Sequence, residues 1–199
     1  MLPRISELAW RNLVHDKVRL TVTLTGIVFA VVLIVVELGL FLGFTTTTSG
    51  LIDRSNADIW ITAPQVPYIE VGVDFSERKA STALATPGVA EVGKYIARFS
   101  QWKRNDGRQE SVMIVGFEPG LSLGAPWNVI EGDPRDLATA ENVFIDELYK
   151  SKLGVTHVGQ VVEIRGHRAR IAGFTRGIRS FTTAPYVFTS FKSAQDYAG

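Results

Sequence analysis

Apolar residues are concentrated in one early stretch of the chain and alternate with polar residues in much of the remainder. Residues 20–44 contain a single charged side chain, that of Glu37. A helix of about 25 residues rises about 37 Å, which exceeds the roughly 30 Å hydrocarbon core of a bilayer. The stretch therefore predicts a transmembrane helix. A cleaved signal peptide is disfavoured, because its apolar region would span about 7–15 residues and no A-x-A-like site follows.

Residues 1–19 predict a second, amphipathic helix that lies in the plane of the membrane. Ile5, Leu8, Ala9 and Leu13 recur at helical spacing, and charged residues occupy other sides of the helix. Aromatic rings and basic side chains favour the headgroup level of a bilayer. The predicted interface anchors are Arg4, Trp10, Arg11, Lys17 and Arg19. A solvated leader without membrane contact is the alternative.

The same basic residues predict the orientation of the span. Arg4, Arg11, Lys17 and Arg19 precede it, whereas Arg54 is the only cation in the comparable stretch that follows. Because positive charge collects on the cytoplasmic side, the N-terminus is expected in the cytoplasm and the rest of the chain on the other side.

Two faces of the predicted span carry small residues. Gly26, Ala30 and Glu37 share one face at helical spacing, and Gly39 and Gly43 form a GxxxG pair on another. Small residues let helix backbones approach closely, and a carboxylate in lipid is costly enough to face protein or water. These five residues are therefore expected to pack against other helices.

Beyond a connector at residues 45–55, one domain is predicted over residues 56–199. Runs rich in β-forming residues and bounded by turn residues predict strands at residues 57–64, 89–103, 109–117, 141–146, 161–174 and 184–190. Helices are expected at residues 76–88, at 147–154 and from 190 onward. The 161–174 run is expected to be a hairpin that turns at Gly166-His167. This order predicts an α+β fold with short helices and a mixed, mainly antiparallel sheet.

Composition and motifs argue against several kinds of chemistry. The chain has no cysteine, and its 21 basic and 20 acidic residues are interspersed, so a nucleic-acid partner is not expected. Phosphate-binding, serine-hydrolase and zinc-protease motifs do not occur in the sequence. The three histidines lie before the span, in a loop and at a hairpin turn, and are expected at the surface. No catalytic, cofactor-binding or metal-binding residue is therefore predicted.

The N-terminal segment resembles the start of ABC-transporter permeases of the MacB and FtsX type, especially the DevC-like branch. Its pattern is of the LAxRNLxxxKxR type, and the matching residues are Leu8, Ala9, Arg11, Asn12, Leu13, Lys17 and Arg19. Further along, IEGDPRD, ENVFIDELYKSKLGV and a hairpin over residues 159–174 are similar to the family's periplasmic core domain and come in its order.

The resemblance implies a non-catalytic permease subunit of the bacterial inner membrane, with its main domain in the periplasm. Such a subunit dimerises, pairs with a separate ABC ATP-binding subunit and, in the DevC-like branch, works with a periplasmic membrane-fusion adaptor. In the family, another strand of the sheet and then three further transmembrane helices follow this point, so the domain is expected to be incomplete at Gly199. The alternative is a single-pass, membrane-anchored extracytoplasmic binding or sensor domain.

The predicted orientation can be tested with reporter fusions after Asp74. Because the cations precede the span, we expect alkaline phosphatase fused there to be active and a reporter that works only in the cytoplasm to be silent. The same reporters fused after Lys17 should give the reverse result. Cytoplasmic activity after Asp74 would contradict the orientation.

Overall fold

The computed structural model describes residues 2–66, 72–121, 123–180, 182 and 184–199. It divides into two compact units, Met1–Thr46 and Thr47–Gly199. The first unit is helical, and the second contains a sheet with short helices.

Two helices form the N-terminal part of the chain, α1 at Leu2–His15 and α2 at Lys17–Asp53. Asp16 separates them, and its carboxylate accepts a hydrogen bond of 3.1 Å from the backbone N–H of Arg19, so it caps the start of α2. The helix α2 continues beyond Phe44 through much of the predicted connector. The Thr46 hydroxyl donates to the Leu42 carbonyl at 2.8 Å, which keeps this threonine compatible with a helix.

The second unit begins with the last turns of α2 and contains α3 at Arg78–Leu84. Its strands are β1 at Ile96–Lys103, β2 at Gln109–Phe117, β3 at Val129–Glu131, β4 at Asn142–Asp146, β5 at Val161–Ile164, β6 at His167–Thr175 and β7 at Tyr186–Ser190. Two more helices, α4 at Lys150–Leu153 and α5 at Phe191–Ala198, follow β4 and β7, and 3-10 helices span Pro134–Ala138 and Glu147–Tyr149.

The strands form one seven-stranded sheet in the order β3-β6-β4-β7-β2-β1-β5. The pairs β2–β7 and β4–β6 are parallel, and the other pairs are antiparallel. The last strand in this order, β5, also pairs with β6, so the sheet curls back on itself. The predicted α+β fold with a mixed, mainly antiparallel sheet is confirmed.

The central strands are buried on both faces. Along β2, Val112 and Ile114 belong to one hydrophobic cluster, and Met113 and Val115 belong to the other. Neighbouring side chains of a strand point to opposite faces, so this unbroken apolar run serves both clusters. Near the end of α2, Leu51 is 4% exposed and belongs to the second cluster.

The helix α5 packs on β2 through an unusually close contact. Ser190 caps α5 by accepting a hydrogen bond of 3.2 Å from the Ser193 N–H. The side chains of Ala194 and Tyr197 are buried in the first cluster. Gly116 lies beneath α5, where a Cβ atom would come within 2.2 Å of the Ala194 Cβ. Glycine at position 116 therefore lets the helix reach the sheet.

Three sequence predictions need correction. Residues 57–64 are not a strand, because no strand in the described part of the chain pairs with their backbone. The strand predicted from residue 89 begins only at Ile96, because its partner β2 ends at Phe117 shortly before Pro119. The second hairpin turns at Arg165-Gly166, one residue earlier than predicted, since both residues have the positive φ angles of a tight two-residue turn, 50° and 81°.

The contact beneath α5 predicts a strong effect of Gly116→Ala. The added methyl group would collide with Ala194 and force α5 away from the sheet, so we expect a loss of about 1–3 kcal/mol of stability. The measurement is denaturant unfolding of the purified chain in detergent, followed by tryptophan fluorescence.

A matched control is Gly50→Ala, because nothing lies within 4 Å of a Cβ at that position. Alanine is favoured over glycine in a helix by up to about 1 kcal/mol, so this variant should be as stable as the parent or slightly more so. Adding Ala194→Gly to Gly116→Ala should recover part of the loss. Unchanged stability of Gly116→Ala would contradict the predicted collision.

Candidate functional site

The apolar part of α2 is the first candidate functional surface. Its large hydrophobic side chains from Val22 to Phe44 are between 48% and 69% exposed. Among the described residues, Lys17–Asp53 is the one helix that is long and apolar enough to cross a membrane. Such a surface is unfavourable in water on all sides of the helix and favourable in lipid.

Polar groups within α2 are largely satisfied by the helix itself. The hydroxyl groups of Thr21 and Thr23 donate to the carbonyl oxygens of Lys17 and Arg19 at 2.8 and 2.9 Å. Near the other end, the Thr45 hydroxyl lies 3.0 Å from the Phe41 carbonyl oxygen. A threonine that bonds back within its own helix does not need water, so it can enter a bilayer at low cost.

The predicted packing residues lie on the two faces expected from their spacing. At about 100° per residue, Gly26, Ala30 and Glu37 fall within a narrow arc, and Gly39 and Gly43 fall on another side. A Cβ atom at Gly26, Gly39 or Gly43 would meet nothing within 4 Å. Both faces are thus open grooves in the single chain, and their packing against other helices stays a prediction.

The predicted interface anchors lie in α1 and in the first turn of α2. Trp10 is 66% exposed, and Arg11, Lys17 and Arg19 are also exposed. The side chain of Arg4 lies outside the part of the chain that the structure describes. Their role at an interface, and the orientation of the span, stay predictions.

The second candidate is a polar site at Asp146, where β4 ends. Its side chain is buried, at 2% exposure, and accepts hydrogen bonds from three donors. They are the N–H of Leu148 at 3.1 Å, the hydroxyl of Thr175 at 3.2 Å and the N–H of Ile178 at 2.7 Å. The carboxylate therefore joins the helical turn after β4 to the end of β6 and the loop that follows.

Exposed and partly exposed charges lie around this buried carboxylate. Glu147 forms a two-point ion pair with Arg176, which lowers the pKa of the glutamate and raises that of the arginine. The ammonium group of Lys150 lies 3.5 Å from the centre of the Phe174 ring. Burial, followed by the nearby Asp146 charge, raises the pKa of Tyr149. Adjacent carboxylates at a helix start, as at Asp146 and Glu147, are typical of charges that complement the N-terminal helix dipole. The two further donors to Asp146 come from residues about 30 positions away and left no local signal.

The described residues contain no group of three or more His, Asp and Glu side chains that could hold a metal ion. His15, His157 and His167 are exposed, as predicted. The Asp146 carboxylate accepts three hydrogen bonds that hold neighbouring segments together. We therefore assign this polar site a structural role.

Comparison with known proteins gives a match over most of the chain. The family model described as the MacB-like periplasmic core domain matches residues 20–198. None of the curated protein sequences compared with the chain matches it.

Two solved structures are similar to parts of the chain. The periplasmic region of MacB from Actinobacillus actinomycetemcomitans is 12% identical, with a TM-score of 0.44 over 60% of this chain and 56% of that one. The extracellular domain of the noncanonic ABC-type transporter YknZ from Gram-positive bacteria is 13% identical, with a TM-score of 0.46 over 61% of this chain and 65% of that one. The chain thus spans less than two thirds of the length of either structure.

The buried carboxylate predicts that Asp146→Asn destabilises the sheet unit. An amide group would turn an N–H toward N–H and O–H donors that now share two carboxylate oxygens, so we expect a loss of about 1–3 kcal/mol in denaturant unfolding. Equal stability of Asp146→Asn and the parent would contradict this account.

Glu147→Gln is the matched control, because it removes the neighbouring charge, which is partly exposed and pairs with the exposed Arg176, and it should have a smaller effect at pH 7. The pKa of Glu147 is lowered in the folded chain, so its ion pair stabilises the fold above the ordinary pKa of 4.5 and is lost as the pH falls through the lowered value. The difference between this variant and the parent should therefore disappear in acid.

Proposed function

The chain belongs to the family of MacB-like periplasmic core domains, and we propose that it is a membrane-spanning permease subunit of an ABC exporter, or part of one. In this proposal the subunit is not itself an enzyme. A separate ATP-binding subunit hydrolyses ATP in the cytoplasm, and the permease converts that reaction into movement of its periplasmic domain.

The observation that carries the proposal is the extent of the family match. The matched residues 20–198 include both the apolar part of α2 and almost all of the sheet unit. The N-terminal resemblance to MacB- and FtsX-type permeases adds support from residues that lie outside this range, including Arg11, Asn12 and Lys17. A membrane-anchored domain of this family fits a transporter better than an isolated binding module.

In the proposed arrangement, α1 lies along the cytoplasmic face of the inner membrane and residues 20–44 of α2 cross it. The sheet unit then lies in the periplasm. The helix α2 contains no proline between Lys17 and Asp53, and its last turns bury Leu51 in the core of the sheet unit.

Glu37 is the residue of the span that most needs a partner. It lies about 26 Å along the helix from Leu20, near the outer end of the hydrocarbon region. A carboxylate at this depth is stabilised by water, by snorkelling to the interface or by another helix. Because Glu37 shares its face with Gly26 and Ala30, where helices can approach closely, we propose that this face packs on partner helices in a dimer.

The proposal extends to partners that the resemblance implies. A DevC-like permease would work with a periplasmic membrane-fusion adaptor, and the sheet unit is the part of this chain that could contact it.

The test is affinity purification of the full-length gene product from bacterial membranes. We expect an ATP-binding subunit to copurify and the permease to be recovered as a dimer after mild solubilisation. Recovery of a monomer without any ATP-binding protein would overturn the proposal and favour a single-pass sensor or binding domain.

The same purification tests the role of Glu37. We expect Glu37→Leu to insert normally but to reduce recovery of the dimer and the ATP-binding subunit roughly threefold, the effect of losing one interhelical hydrogen bond. Val35→Leu is the control, because Val35 lies nearly opposite Glu37 on the helix and is likewise exposed. Full recovery with Glu37→Leu would contradict the proposed packing.

A further inference from the structure

The tip of the β1–β2 hairpin carries a chemically reactive pair of residues that the proposed function does not use. Asp106-Gly107 is the only Asp-Gly pair in the sequence. The backbone nitrogen that follows an aspartate can attack the aspartate side chain, and glycine favours this attack because it has no side chain to obstruct the nitrogen. Both residues are exposed, so solvent water reaches them.

The reaction exchanges one bond of the main chain for another. The Gly107 nitrogen forms a bond to Cγ of Asp106, and the carboxyl OH and the amide hydrogen leave together as water, which gives a cyclic imide. Solvent water then adds to one of the two imide carbonyl carbons and breaks its bond to the nitrogen. Breakage at Cγ restores aspartate. Breakage at the main-chain carbonyl carbon gives isoaspartate, in which the main chain runs through Cβ and Cγ.

The turn geometry engages the attacking nitrogen. The Arg104 N–H donates to the Arg108 carbonyl at 2.8 Å, and the Gly107 N–H donates to the Arg104 carbonyl at 3.0 Å. Gly107 has a φ angle of 82°, which is typical of the glycine that closes a three-residue hairpin loop. To attack Asp106, the Gly107 nitrogen must give up its hydrogen bond within this loop.

The carboxylate of Asp106 is held as an anion. Its Oδ1 accepts the backbone N–H of Arg108 at 3.1 Å, and its Oδ2 accepts Nε and Nη2 of Arg108 at 2.9 and 2.6 Å. Nη2 of Arg104 lies 3.3 Å from the same Oδ2. An oxygen that accepts these guanidinium N–H groups is kept from the protonation that it needs to leave as water.

The charges around the turn support this account. The side-chain hydrogen bond from Arg108 is the main cause that lowers the pKa of Asp106. Glu110 is the other acidic group that acts on Arg108, and it raises the pKa of this arginine in the same direction as Asp106 does. The carboxyl group of Asp106 is therefore kept ionised and oriented by its neighbours.

We propose that Asp106-Gly107 is a site of spontaneous isoaspartate formation and that Arg108 is a positioning residue that retards the reaction. The ion pair must open before the ring can close, so the rate depends on how often it is open. This inference goes beyond the proposed function and does not depend on it.

Isomerisation would damage more than one residue. It would add a methylene group to the main chain inside the loop and disturb the hydrogen bond that pairs Arg104 with Arg108. Nη1 of Arg104 also donates to the Lys152 carbonyl at 2.7 Å, near the end of α4. A displaced Arg104 would thus weaken the contact between the hairpin tip and α4.

The test is slow ageing of the full chain, purified in detergent and kept at neutral pH for several weeks. Isoaspartate is quantified with an isoaspartate-specific methyltransferase, and tandem mass spectrometry locates it at position 106. We expect Arg108→Ala to accumulate isoaspartate there roughly threefold faster than the parent, a factor in the range that exposed ion pairs contribute. Arg108→Lys keeps the positive charge, so its rate should lie between the two.

Lys103→Ala is the matched control, because it removes a cation of the same hairpin that pairs with Glu163 and not with Asp106. Its rate should equal that of the parent. Asp106→Glu in the Arg108→Ala chain should abolish the signal at this position, because the longer side chain would have to close a larger ring.

Ageing in guanidinium chloride separates the effect of the turn from that of the local sequence. The parent should isomerise faster there than when folded, and at the same rate as Arg108→Ala in the same denaturant. Tryptophan fluorescence checks that each variant is folded in detergent, and Arg108→Lys takes the place of Arg108→Ala if the latter is unfolded. Equal rates for the parent and the folded Arg108 variant, or for the folded and the denatured parent, would overturn the inference.

Discussion

The requirement that backbone N–H and C=O groups find hydrogen-bond partners governs both units of this chain. In α2 the helix satisfies its own backbone, and its threonines bond back to the same helix, so the surface that remains is apolar. In the sheet unit, β6, β4, β7, β2, β1 and β5 form a ring of pairings in which each strand has a neighbour on both sides.

The apolar core of the sheet unit depends on this ring. Because the sheet is covered on both faces, its central strands consist of consecutive apolar residues, as in the run from Val112 to Val115. The helix α5 approaches one face through Gly116, and Leu51 and the loops beyond β3 and β6 cover the other. Asp146 then fixes the end of β6 relative to β4 with hydrogen bonds instead of apolar contacts.

Much of this architecture could be predicted from local sequence, because its signals are local. The length and composition of residues 20–44 predict a helix, and Ser190 marks the start of α5. Strand pairing is a long-range property, so alternation in residues 57–64 was mistaken for a paired strand. For the same reason the sequence did not show that β1 begins at Ile96. The role of Asp146 was missed because its donors Thr175 and Ile178 are distant in sequence. The packing faces around Glu37 were placed by helical spacing alone, and a single chain does not reveal what they contact.

The double pairing of β5 has a consequence for how the domain could tolerate change. Val162 lies opposite Ala169 of β6, and Ile164 lies opposite both His167 of β6 and Trp102 of β1. A cut or a long insertion at the Arg165-Gly166 turn would disturb the hydrogen bonds from Arg165 to the Gln101 and Ala198 carbonyls, but β5 would still be held on both sides. The turn is therefore a point where new sequence could enter this domain during evolution without opening the sheet.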